Sequence, residues 1–184
     1  MSFSHNPLSA MYYLEVEDGF GIMNLSLSQA GLQEAIFQNY TDDDIKKISN
    51  IDYKKLIVKY VKTNFELTIN GDHIKLLEGG VKLGNHQTDL KFITSKLPSI
   101  FNSLTIKIDA FKENEHHQTV FSLAFNDKTS KVILNEKNHY STSVKFMDNK
   151  MVVNSSPFRM SYLWFITVIP IGIFAKKCFQ LRND

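Results

Sequence analysis

The sequence predicts a mainly β, α+β domain carried by one C-terminal transmembrane helix. Three observations predict it: apolar residues recur at every second position through most of the first 147 residues, helical spacing is confined to one early stretch, and an uncharged apolar run closes the chain. Long crossover helices between the strand-like stretches are missing, so a doubly wound α/β fold does not fit. The expected form is an antiparallel β-sandwich or a curled sheet with an early helical insertion.

In order, Tyr12, Leu14 and Val16 alternate with Met11, Tyr13 and Glu15, the period of a half-buried strand. Asp18-Gly19 supplies positive-φ turn chemistry, and Met23, Leu25 and Leu27 answer across it, completing a hairpin. Leu32, Ala35, Ile36 and Tyr40 then recur at helical spacing, with Ser28 as the N-cap. Thr41 offers a second cap whose following Asp42, Asp43 and Asp44 face the positive end of a helix dipole. Tyr53, Leu56, Ile57, Tyr60 and Val61 mark a third helical segment, and Lys55, Lys59 and Lys62 lie on its opposite, solvated side.

From Phe65 the period returns to two. Phe65, Leu67 and Ile69 lead into Asn70-Gly71, a strong hairpin signal, and Ile74 and Leu76 return. Gly79-Gly80 reads as a break, after which Val81 and Leu83, then Leu90 and Phe92, form one long strand or two short ones. Leu104, Ile106 and Ile108 alternate, as do Phe121, Leu123 and Phe125, and less cleanly the stretches Lys131–Leu134 and Tyr140–Phe146. The division is therefore residues 1–148 as a β-rich domain, 149–156 as a short polar tether, 157–175 as the span and 176–184 as a tail.

Met160 to Ala175 contains no charge, and with Pro157, Phe158 and a snorkelling Arg159 it reaches the ~20 residues that cross a hydrocarbon core. Tyr162 and Trp164 suit one interface, and Lys176 and Lys177 the other. Lys176, Lys177 and Arg182 outweigh Lys150 and Arg159, so the positive-inside rule places the tail in the cytoplasm and the domain outside it, in the periplasm at the cell membrane. Export of that domain calls for a signal peptide upstream, since MSFSHNPLSA has neither basic start nor apolar middle. The rival topology is a tail anchor with the domain in the cytoplasm.

A net charge of +2 and the lack of a basic cluster exclude a nucleic-acid footprint. The single cysteine, Cys178, follows the span, so the folded region forms no internal disulfide. No nucleophile elbow, phosphate-cradling glycine loop, His-Glu-x-x-His or cysteine pair is present, and the reading is non-enzymatic. The triplets at Asn24, Asn39 and Asn154 match a glycosylation pattern that chance supplies in a chain rich in Asn and Ser. Imidazole suits Cu, Ni and Zn, and His5, His86 and His117 are the candidate ligands among His5, His73, His86, His116, His117 and His139. On a strand, His116 and His117 point to opposite faces, so a site needs partners from elsewhere.

The segment NPLSAMYYLEVEDGFGIMNLSLSQAGLQEA and the later HHQTVFSLAF resemble the small extracytoplasmic domain of HupE/UreJ-type proteins. The matching positions are His5 and Pro7, Leu25 and Leu27 with Leu32 and Ala35, and His117, Gln118, Ser122 and Leu123, over about residues 5–147. That chain type also carries a multi-helix permease, which has no counterpart in this sequence, and Asn6 separates His5 from Pro7. The resemblance implies an exported β-rich domain tethered by a helix, and the conjunction of one span, no recognisable catalytic motif and a short tail points to an accessory or interaction subunit of an envelope membrane complex with protein partners. The alternative, which rests on His5, His86 and His117 together with the resemblance, is a domain for delivery or sensing of Cu, Ni or Zn.

Overall fold

A computed structural model of the chain describes residues 10–40 and 48–153. The first hairpin is built as its turn chemistry requires. Strand β1 (Ala10–Glu17) pairs antiparallel with β2 (Phe20–Ser28), and Asp18 and Gly19 between them take φ values of 46° and 80°. Ala10, Tyr12 and Leu14 of β1 and Met23, Leu25 and Leu27 of β2 are buried on one face.

Ser28 then caps α1 (Gln29–Asn39), its hydroxyl accepting the Gly31 N–H at 3.2 Å, and Leu32, Ala35 and Ile36 are buried. Helix α2 (Asn50–Thr63) begins the same way, with Ser49 accepting from Asp52 N–H, and it buries Ile57, Tyr60 and Val61. The cap expected at Thr41 lies outside the described residues. Lys62 is exposed along its length, yet its ammonium sits 5.4 Å from the centre of the Phe92 ring and donates to the Leu77 carbonyl. It is a fastening for α2 rather than a merely solvated charge.

The remaining strands are β3 (Phe65–Ile69), β4 (Asp72–Ile74), β5 (Leu76–Leu83), β6 (Gln87–Thr94), β7 (Ser103–Ile108), β8 (Gln118–Phe125), β9 (Lys128–Asn135), β10 (Ser141–Met147) and β11 (Lys150–Val153). They form a six-stranded sheet, β5-β6-β2-β1-β8-β9, and a five-stranded sheet, β11-β10-β7-β3-β4. The fold is thus a mainly β, α+β sandwich with two described helices, as the alternation and the early helical spacing lead one to expect. The sheets meet over an apolar core in which Tyr12 of β1 stacks on Phe65 of β3 with ring centres 6.0 Å apart. At another part of the core, Phe101 from the β6–β7 connection stacks on Phe125 at 4.2 Å and meets Phe146 edge-on at 5.4 Å.

Four details depart from the sequence reading. Every strand pair is antiparallel except β1 with β8, which run parallel from Ala10↔Thr119 to Glu15↔Ala124. A hairpin forces the antiparallel sense only on strands joined by a tight turn, and these two are separated by the helices and six strands. The strand expected to return through Ile74 and Leu76 divides at Lys75, β4 staying in one sheet and β5 entering the other. Gly79-Gly80 is no break: β5 runs through it with a register shift between Leu76 and Gly79. A Cβ at Gly79 would collide with the Lys91 carbonyl and the Phe92 ring, so glycine is there for close approach. Finally, the stretch expected as a tether from residue 149 starts inside the fold, because Asp148 and Asn149 turn with φ of 50° and 61° and β11 pairs back on β10.

Candidate functional site

Of the histidines proposed as ligands, the two among the described residues, His86 and His117, do not converge. His117 is only 2% exposed, with Nε2 2.9 Å from Thr119 Oγ1 and its ring packed on Phe111 at 5.2 Å and near Tyr140 at 6.4 Å. His86 is exposed, and its carbonyl accepts the Gln29 N–H. Thr88, Leu27, Ala10 and Thr119 are successive partners across the six-stranded sheet, so the ends of β6 and β8 bearing these histidines stand three strand spacings apart, about 14 Å. His5, Arg159, Tyr162, Trp164, Lys176 and Lys177 lie outside the described residues. Among the described residues, no three His, Cys, Asp or Glu side chains gather as metal ligands would. His116 and His117 do take opposite sides, one exposed and one buried, but from a loop in which His116 has φ 57° rather than from a strand.

His117 belongs to a buried polar and aromatic nest that joins the helices to the sandwich. The Tyr60 hydroxyl accepts the Phe111 N–H at 2.7 Å and donates to Glu113 Oε2 at 3.2 Å. Burial, with the Glu113 charge adding to it, pushes the Tyr60 phenol well above its ordinary value. Asn39 Nδ2 donates to the other Glu113 oxygen, and Asn114 Nδ2 donates to the Gly31 carbonyl. Two buried oxygens, the Tyr12 hydroxyl and Asn114 Oδ1, have no hydrogen-bond partner among the described residues. These contacts tie α1, α2 and the 109–117 loop together, a positioning task rather than an accessible site.

The accessible feature is the outward face of the six-stranded sheet. Register places Lys82, Asp89, Ser26, Met11, Val120 and Ile133 in one row across it. The next row is Gly80, Lys91, Asn24, Tyr13, Ser122 and Lys131, and beyond it come Ile93, Ile22, Glu15, Ala124 and Thr129. Met11, Ile93, Ile133 and, near the turn, Phe20 are each about half exposed, at 53%, 50%, 50% and 49%. The outward face of the five-stranded sheet is built differently. There His73, Thr68, Thr105 and Ser143 form one row and Glu66, Lys107 and Ser141 another, with Thr105 Oγ1 and Ser143 Oγ bonded at 2.9 Å and Lys107 paired to Glu66 and Asp109.

Within the apolar face runs an open trough of about 530 Å³ lined by Met11, Tyr13, Asn24, Ser26, Lys82 and Lys91, among others. Among the described residues, neither Lys82 nor Lys91 has a carboxylate at ion-pair distance, and Asp89 between them accepts from Gln87 Nε2. Sequence reading missed this face because it assigned Met11 and Tyr13 to the solvent side of a plain alternation. The available signal was that AMYYLEV and TVFSLAF are apolar at nearly every position, the composition of strands covered on both sides.

Among the described residues no helix is long and apolar enough to cross a membrane, and the span expected over 157–175 lies outside them. No model of a known protein family matches the chain, and no curated protein matches it.

Proposed function

We propose that this is a non-enzymatic interaction domain, held at the cell membrane by the 157–175 helix with the domain extracytoplasmic, and acting as an accessory subunit of an envelope complex. The observation that carries the reading is the contrast between the two outward sheet faces. One carries rows of Ser, Thr, His and paired charges, with Met147 and Val152 exposed only toward its β10–β11 edge, and the other exposes Met11, Phe20, Ile93 and Ile133 across its surface. Scattered apolar residues on a surface are ordinary, but here Met11, Val120 and Ile133 stand side by side in one row and Ile93 and Ile22 in another. Apolar side chains with lysines and carboxylates beside them are also found where protein interfaces pass from core to rim.

The test is purification of the full chain in mild detergent. A stoichiometric companion is expected, and Met11→Glu with Ile133→Glu should release it while the thermal transition stays in place. A monomer that turns over a small substrate and retains no companion would defeat the reading. Orientation is checked with protease on intact spheroplasts, where digestion of the domain is expected and its full protection would establish the tail-anchored arrangement.

A further inference from the structure

Resting on the interaction reading above, we infer that the trough between β1 and β5 on the outward sheet face receives a partner segment in which acidic side chains alternate with aromatic or aliphatic ones. Three observations choose this occupant. The wall on β1 is Met11 and Tyr13, apolar and aromatic, while the opposite side on β5 and β6 carries Lys82 and Lys91. Lys82 sits opposite Asp89 and Lys91 opposite Gly80, so the two ammonium groups are diagonal neighbours on adjacent strands, within reach of one anionic segment. Asp89 offsets part of their charge, but it is already engaged by Gln87 Nε2.

The floor is low because Gly80 faces outward with open space where a Cβ would be, and because Asn24 and Ser26 are short. Their amide and hydroxyl groups can bond a backbone laid over them. The trough is open along its length, whereas a small-molecule site encloses most of its ligand. Glu15 and Glu17 on the same face, toward the Asp18-Gly19 turn, would repel an anionic lipid surface pressed on the whole sheet. A narrow segment crossing the lysine side avoids them.

The experiment is an anisotropy titration of the full chain, in a mild non-ionic detergent, with two labelled pentapeptides: Asp-Phe-Asp-Phe-Asp and Lys-Phe-Lys-Phe-Lys. The acidic peptide should bind about tenfold more tightly at low salt, and the difference should shrink at high salt. Lys82→Glu with Lys91→Glu should reverse the preference, and Gly80→Phe, which fills open space, should weaken the acidic peptide about tenfold without moving the thermal transition. Should Gly80→Phe fail to fold, Lys91→Gln alone should weaken the acidic peptide severalfold. Equal binding of the two peptides, or a preference that survives the charge reversal, overturns the assignment. The native companion separates the two levels of the argument. A companion that stays bound to the charge-reversed chain overturns the trough and leaves the interaction domain standing, whereas a wild-type chain with no companion removes the reading on which the trough rests.

Discussion

Tyr12 and Tyr60 show how differently one side chain can be used within one core. Tyr60 spends its hydroxyl on the Phe111 N–H and on Glu113, so Tyr60→Phe strands a buried donor, and a loss of about 1–3 kcal/mol is expected in urea unfolding. Tyr12 has no such partner, and Tyr12→Phe should leave neutral-pH stability unchanged or raise it by about 1 kcal/mol. A loss beyond about 2 kcal/mol would show that the hydroxyl is bonded after all. Both phenols have raised values through burial, so the folded chain holds protons that the unfolded chain releases near its ordinary value of about 10. Their contribution is therefore full below about pH 10 and is lost as pH rises beyond it. Tyr12→Phe should make that alkaline decline shallower, which urea midpoints at neutral and alkaline pH will measure. The sequence placed both tyrosines on inward faces, but it gave no sign of their partners. Those of Tyr60 come from the 109–117 loop, about fifty positions away in the chain, and Tyr12 stacks on Phe65, likewise about fifty positions away.

Turn chemistry made most elements readable. Asp18-Gly19 and Asn70-Gly71 are true hairpin turns because their residues accept positive φ, and Ser28 is the cap that its position suggested. Asn70 also does what no local pattern reveals: its Oδ1 accepts from the N–H groups of Asn102 and Ser103, and its Nδ2 donates to the Ile100 carbonyl. Gly79-Gly80 misled, since a pair of glycines reads alike whether the chain is turning or making room for a neighbour. The two can be told apart by substitution. Gly79→Ala should cost about 1–3 kcal/mol through its collision with Lys91 and Phe92, while Gly80→Ala should stay within about 0.5 kcal/mol. Equal costs in differential scanning calorimetry would argue against the register of β5. The outward apolar face escaped for a related reason: a period of two identifies a strand but not which of its faces is covered when both are apolar.

For the molecule as a whole, the described residues 10–40 and 48–153 belong to one compact unit, so a fragment ending at Val153 should fold and unfold in a single cooperative step. Far-ultraviolet and tyrosine near-ultraviolet signals should share one urea midpoint, and separated midpoints would mean that the two sheets melt independently. The centre of the larger sheet deserves a different measure, one of time. Strand β1 lies between β2 and β8, and about a hundred residues separate its end at Glu17 from the start of β8 at Gln118. At the ~5–20 residues per second of protein synthesis, the opening hairpin waits roughly 5–20 seconds with one edge unpaired before its parallel partner exists. Through that interval Met11, Tyr12, Tyr13 and Leu14 form an apolar strand open to any passing chain. Crowding of ribosomes on one message is thus where the protein is most exposed to aggregation through this edge.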